Sequence, residues 1–132
     1  MPEALRLPRA LAEELLRLAR DSPEEEVCGL VAGRDGEARR LFPIRNVAAD
    51  RRRFFELDPK GQIDALRAMR EAGETLLAIY HSHPHGPGEP SRIDIEHHAY
   101  PDALCLVIAP GARGLRAFRM HADGAVEAPI VG

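Results

Sequence analysis

Two histidines two residues apart, His81 and His83, close an apolar run that begins at Leu76. In a strand, residues two apart project from the same face, so both imidazoles can aim at one point. Pro84 ends the strand and sets the pair beside a loop. Zinc takes neutral imidazole at about 2.0–2.1 Å and carboxylate at about 2.0–2.2 Å, but two histidines alone make a weak site. Asp94 is the third candidate ligand. Between it and His83 lie Pro84, Gly86, Pro87, Gly88 and Pro90, breakers that can fold the chain back. Two imidazoles, one carboxylate and an open position are the arrangement of a catalytic zinc site, whereas structural sites are usually closed by four protein ligands. Ser91-Arg92-Ile93-Asp94 also reads as a helix start, with Ser91 capping and an acid three residues later. The two readings are compatible, because a cap would orient the helix that presents Asp94.

His81-x-His83, seven residues, then Ser91-x-x-Asp94 resembles the signature of the JAMM (MPN+) metalloproteases, the family of the deubiquitinating subunits of the proteasome lid and the signalosome. That family also carries a glutamate two residues before a Cys-Gly or Met-Gly step in a strand. Glu26-Val27-Cys28-Gly29 matches it. By composition alone Glu24-Glu25-Glu26 is a solvated acidic turn, and only the resemblance selects Glu26. Asn46 and Phe55-Glu56-Leu57-Asp58-Pro59 are weaker echoes. The resemblance implies a Zn2+ ion held by His81, His83 and Asp94. It implies a water shared with Glu26, which carries its proton, and an oxyanion hydrogen-bonded by Ser91.

A minimal chain of this kind resembles family members that act on ubiquitin-like sulfur-carrier proteins. The implied reaction is hydrolysis of an amide after a C-terminal Gly-Gly, in a peptide, an amino-acid adduct or an isopeptide. No long insertion follows the Ser91–Asp94 motif, which favours a simple substrate over one chain linkage. Two other classes compete. Relatives lacking the metal residues are assembly scaffolds, but all five site residues are present here. RadC-like, DNA-associated proteins share the echoes His83-Pro84 and Pro90-Ser91, but they carry an N-terminal helix-hairpin-helix region for which this chain has no room.

The elements that must position these residues follow from periodicity and breakers. Pro8 to Asp21 has helical spacing, and Ser22-Pro23 stops it. Val27 to Gly33 is a strand, Arg34-Asp35-Gly36 a turn, and Ala38 to Asn46 a return strand. Asp58-Pro59 opens a second helix that Gly73 ends, with Ile63, Leu66, Ala68, Met69 and Ala72 as its apolar residues. Leu76 to Tyr80 is a buried strand, Ser91 to Ala99 a short helix and Leu104 to Ala109 another buried strand. Leu115 to His121 and Val126 to Val131 pair about Asp123-Gly124. The expected class is α/β (α+β): about six strands in one mixed sheet with helices covering it. The resemblance implies the JAMM/MPN fold, which is cytidine-deaminase-like.

The bulk numbers bound the rest. The 132 residues suit a single domain, residues 1–132, with 45% hydrophobic and 30% charged residues. A net charge of -3 argues against nucleic acid as a partner. Seven arginines between Arg34 and Arg53 read as a solvated edge or as a surface for an acidic partner. Cys28 and Cys105 lie in apolar runs and read as free buried thiols. No run is long enough to span a membrane and no signal peptide is evident, so a cytoplasmic protein is expected.

Overall fold

The computed structural model describes residues 3–111 and 114–132. The element order is β1 (Leu5–Arg6), α1 (Arg9–Arg20), β2 (Cys28–Arg34), β3 (Glu37–Ile44), α2 (Pro59–Glu71), β4 (Thr75–Ser82), α3 (Arg92–His97), β5 (Leu104–Ala109), β6 (Gly114–His121), β7 (Gly124–Ala128) and β8 (Ile130–Val131). The strands form one mixed sheet in the order β7-β6-β5-β4-β2-β3-β1-β8. Among the described residues eight strands replace the expected six or so. Leu5–Arg6 is too short to show a period. The run through Val131 splits at Pro129, and its last two residues pair in parallel with β1 at the far edge of the sheet. The arginine-rich β3 is followed in the strand order by β1, which pairs with it at its start, Arg6↔Glu37.

Apolar continuity explains the centre. β5 is buried along its whole length and β4 from Leu77 to Ser82, because helices cover both faces. On one face α1 packs Leu15 and Ala19 against Val31, Tyr80, Leu104, Leu106 and Ile108. On the other, α2 packs Ala65 and Met69 against Leu30, Ala32 and Ile79. The stripe on α2 is Ala65, Leu66 and Met69; Ile63, counted as apolar in the sequence, is 56% exposed because it lies off that face. The strand period of two then sorts β4: Tyr80 faces α1 while Ile79 and His81 face the α2 side.

Two pairings place the chemistry. β4 and β5 are parallel, with Ala78↔Leu104 and His81↔Val107. A parallel pair needs a crossover, and that crossover carries α3 over the same face as His81. β2 is antiparallel to β4, with Cys28↔His81. The start of β2 therefore lies beside the end of β4, and the register carried two residues further sets Glu26 opposite His83.

The β2–β3 hairpin turns on Asp35 (φ 53°) and Gly36 (φ 78°), the left-handed pair a tight hairpin requires. Gly29 has a different reason. A Cβ there would stand 2.4 Å from both the Phe42 carbonyl oxygen and the Tyr80 ring. Neither can move cheaply, since one is backbone and the other a fully buried ring. Gly29→Ala is expected to destabilise the fold by about 1–3 kcal/mol, the range for overpacking, read as a lower urea midpoint.

Candidate active site

His81 is wholly buried, and His83 and Asp94 are nearly so at their side chains, each 9% exposed. Asp94 Oδ2 is 3.0 Å from His81 Nε2 and 3.2 Å from His83 Nε2, and the two Nε2 atoms are 3.1 Å apart. A tetrahedral ion with bonds near 2.0–2.1 Å spaces its ligands about 3.3 Å apart, so this triangle is slightly tighter than such an ion would set. His83 Nδ1 lies 2.8 Å from the Pro87 carbonyl oxygen. Its N–H donates there, which turns the Nε2 lone pair of the neutral ring toward the triangle. Three acceptor atoms aimed at one point repel unless a proton or a cation lies between them. Glu26, His81 and His83 also offer ligand atoms within 4.8 Å of one another, so the cluster can hold a metal ion.

The loop prolines and the helix start deliver Asp94 as the sequence suggested. Ser91 caps α3, its Oγ accepting the Asp94 N–H at 3.1 Å, while Asp94 Oδ2 accepts the Ser91 N–H at 2.8 Å. The carboxylate that faces the histidines thus also closes the capping box. Ser91 Oγ uses a lone pair in this contact, leaving its own proton free to donate.

Burial separates the three glutamates. Glu24 is exposed, and Glu25 is half-buried and pairs with Arg51 at 3.3 Å. Glu26 is 6% exposed, and its Oε1 is a buried oxygen with no hydrogen-bond partner among the described residues. Burial raises its pKa to about 7, helped by Asp94 and opposed by His83. The other groups follow from the same dry surroundings. Burial lowers the pKa of His81 against the pull of Asp94. For His83 burial acts the same way, but hydrogen bonds with Asp94 and Pro87 outweigh it and raise the pKa. Burial would also raise Asp94, but hydrogen bonds from both histidines hold it well below the usual carboxylate range.

Several residues that hold the site carry no spacing signal. Ser82 points away from His81, and its Oγ accepts the Val27 N–H at 2.8 Å while its own N–H donates to the Val27 carbonyl at 3.0 Å. These bonds extend the β2–β4 ladder past Cys28 and fix Glu26. Asn46 is a hub. Its Nδ2 donates to the carbonyls of Glu26 and Phe54 at 2.9 and 3.1 Å, and its Oδ1 accepts from the Ala48 and Glu56 N–H groups at 3.0 Å each. The loop so gathered places Phe55, whose ring stacks on His81 with centroids 4.5 Å apart. Among the other histidines, His85 is exposed and 3.8 Å from Glu24. His97 is exposed, and His98 donates to the Ala103 carbonyl at 3.0 Å rather than to Asp94. Cys28 and Cys105 are free and buried, and burial raises the Cys28 thiol to about 12.

Residues 8–121 match the family model of prokaryotic homologues of the JAB domain. The chain is a prokaryotic JAB-domain protein. Curated relatives agree over most of its length. A probable TtuB-protein conjugate cleaving protease of Thermus thermophilus is 41% identical over 115 residues, 86% of this chain and 74% of the relative. A desampylase of Haloferax volcanii is 39% identical over 98 residues, 72% of this chain and 70% of the relative. A CysO-cysteine peptidase of Mycobacterium tuberculosis is 36% identical over 126 residues, 91% of this chain and 85% of the relative. Among solved structures, protein DSY2949 of Desulfitobacterium hafniense superposes with a TM-score of 0.85 at 32% identity, over 96% of this chain and 91% of that one. A JAB1/MPN domain protein of Archaeoglobus fulgidus shares the fold, with a TM-score of 0.63 at 16% identity over 97% and 100% of the two chains. As a JAB-domain protein with peptidase relatives, the chain is a hydrolase.

Asn46→Asp keeps the shape of the hub but loses both side-chain donors. It is expected to lower stability by about 1–3 kcal/mol, from two hydrogen bonds of about 0.5–1.5 kcal/mol each, measured by chemical denaturation.

Proposed function

We propose that this hydrolase is a zinc-dependent peptidase that cuts the amide bond after the C-terminal Gly-Gly of a ubiquitin-like sulfur-carrier protein or its conjugate. His81, His83 and Asp94 would hold the ion, and Glu26 and Ser91 would act on the reacting atoms. The observation that carries this reading is the triangle of His81 Nε2, His83 Nε2 and Asp94 Oδ2, with the buried Glu26 nearby, whose Oε1 has no partner among the described residues. The donor set, two imidazoles and one carboxylate, is that of a catalytic zinc site.

When bound, zinc supplies a water acidified toward neutrality and a Lewis acid for the scissile carbonyl. The protein's own groups supply the rest. Glu26, with a pKa of about 7, is matched to accept a proton from the attacking water and return it to the leaving amine. Its Oε1 has no partner among the described residues, which leaves that oxygen for this exchange. Ser91 can donate its hydroxyl proton to the developing oxyanion. His83 is held as a lone-pair donor by Pro87, and Phe55 excludes water from one face of His81. The relatives' names support the substrate class, since they describe cleavage of protein conjugates and of a CysO-cysteine adduct.

Asp94→Ala is expected to abolish stoichiometric zinc binding, measured by elemental analysis of the purified protein. Near-full zinc retention would remove Asp94 from the ligand set. Glu26→Gln is expected to keep one zinc per chain and to lose roughly 100-fold to 10,000-fold in kcat, the range for a general acid–base. Mass spectrometry of a sulfur carrier extended beyond Gly-Gly tests the substrate. Wild type should release a Gly-Gly terminus and Glu26→Gln should not. An untouched carrier in the presence of the zinc-loaded protein would reject this substrate class.

A further inference from the structure

Two clefts flank the triangle, and they differ in charge. One, of about 280 Å³, is lined by Phe55, Leu57, Ile79, His81, Asp94 and Tyr100. The other, of about 290 Å³, is lined by Glu26, Arg52, Arg53, His83, His85 and Ser91, among others. Glu26 lines the second and not the first. The chemistry proposed above therefore orients a substrate. Hydrolysis breaks the acyl C–N bond and leaves the oxygen of water on the glycine carboxylate. The water's proton travels through Glu26 to the departing nitrogen, so that nitrogen must lie on the Glu26 side.

Backbone hydrogen bonds tie the turn that carries these exposed arginines to the segment that carries Glu26. Glu26 donates its backbone N–H to the Arg51 carbonyl at 2.7 Å. The turn that follows closes through Arg53 N–H and Phe54 N–H, both donating to the Asp50 carbonyl at 3.3 and 3.0 Å. Most arginines of this region are spent locally: Arg40 on Glu74 at 2.8 Å and Arg51 on Glu25 at 3.3 Å. Arg53 is only loosely paired, 3.9 Å from Asp50. Arg52 has no ion-pair partner among the described residues. The nearby acid Glu24 faces His85 at 3.8 Å. The leaving-group side of the proton carrier thus presents two guanidinium groups with little to neutralise them.

We propose that Arg52 and Arg53 form a subsite for a free carboxylate on the leaving group, so that the favoured substrate is a carrier extended by an amino acid through its α-amine. The inference rests on the Gly-Gly reading of the same site. An α-amino acid holds its carboxylate one carbon from the departing nitrogen, close to the group that protonates it. The planar guanidinium matches a carboxylate in geometry as well as in charge. A lysine side chain of a folded protein, the leaving group of an isopeptide, brings no such anion at that distance.

The test compares two substrates that differ by one charge: a Gly-Gly carrier extended by alanine, and the same carrier extended by alaninamide. Wild type should favour the free acid by about 10-fold to 100-fold in kcat/KM, the range for hydrogen bonds to charged groups. In the R52Q/R53Q double variant, with zinc content and circular dichroism unchanged, the ratio should fall toward one through loss on the acid substrate. Equal rates in wild type, or a ratio that survives in the double variant, would overturn the subsite and leave the Gly-Gly reading standing. Cleavage of neither substrate by the zinc-loaded protein would overturn that reading and the subsite with it.

Discussion

His81 Nε2, His83 Nε2 and Asp94 Oδ2 lie 3.0 to 3.2 Å apart in a nearly dry environment. Three electron-rich atoms do not gather of their own accord, and burial weakens any screening by solvent. The sheet and its crossover must hold them. β4 contributes both histidines at its end, where the His83 N–H donates to the Ile108 carbonyl at 2.8 Å and keeps the chain extended past Ser82. The crossover to β5 contributes α3, and the capping box ties Asp94 to the first turn of that helix. Antiparallel β2 then sets Glu26 across from His83. Each of these follows from pairing direction, so the site is a consequence of placing β4 between a parallel and an antiparallel neighbour.

The same constraint accounts for the residues around the triangle. Glu26 must be dry enough to sit near neutrality yet keep one oxygen unengaged. Asn46 and Ser82 achieve this by bonding to the backbone of residues 26 and 27 and not to the Glu26 carboxylate. On the opposite face, Tyr80 fills the space beneath Gly29 and anchors β4 to α1. The small residue of the Cys28-Gly29 step thus serves packing, while the glutamate before it serves the site.

The sequence made the triangle of His81, His83 and Asp94 legible because its parts are local. A strand ending in His-x-His, a breaker-rich loop and a cap with an acid three residues on each have a physical reading. Glu26 was legible only through family resemblance, since Glu24 and Glu25 look the same in composition and tertiary burial alone separates them. Asn46 and Phe55 were visible only as weak echoes of the family and their contacts were not, and no period or spacing announces the Ser82 hydrogen bond between residues 27 and 82. In the fold, the helices and the buried strands β4 and β5 were readable from apolar spacing. The two-residue strands β1 and β8 were not, because they exist only by pairing with each other and with β3. Ile63 misled because apolar character was counted without asking which side of α2 it occupies.

The central claim is the donor set, and X-ray absorption at the zinc edge of the zinc-loaded protein reads it directly. The account predicts a first shell of nitrogen and oxygen at about 2.0–2.2 Å, with imidazole scattering from two histidines and no sulfur. Cys105 Sγ, 4.0 Å from His81 Nδ1, is a sulfur close enough to compete. A sulfur shell at about 2.3 Å, or scattering from fewer than two imidazoles, would contradict the assignment of His81, His83 and Asp94.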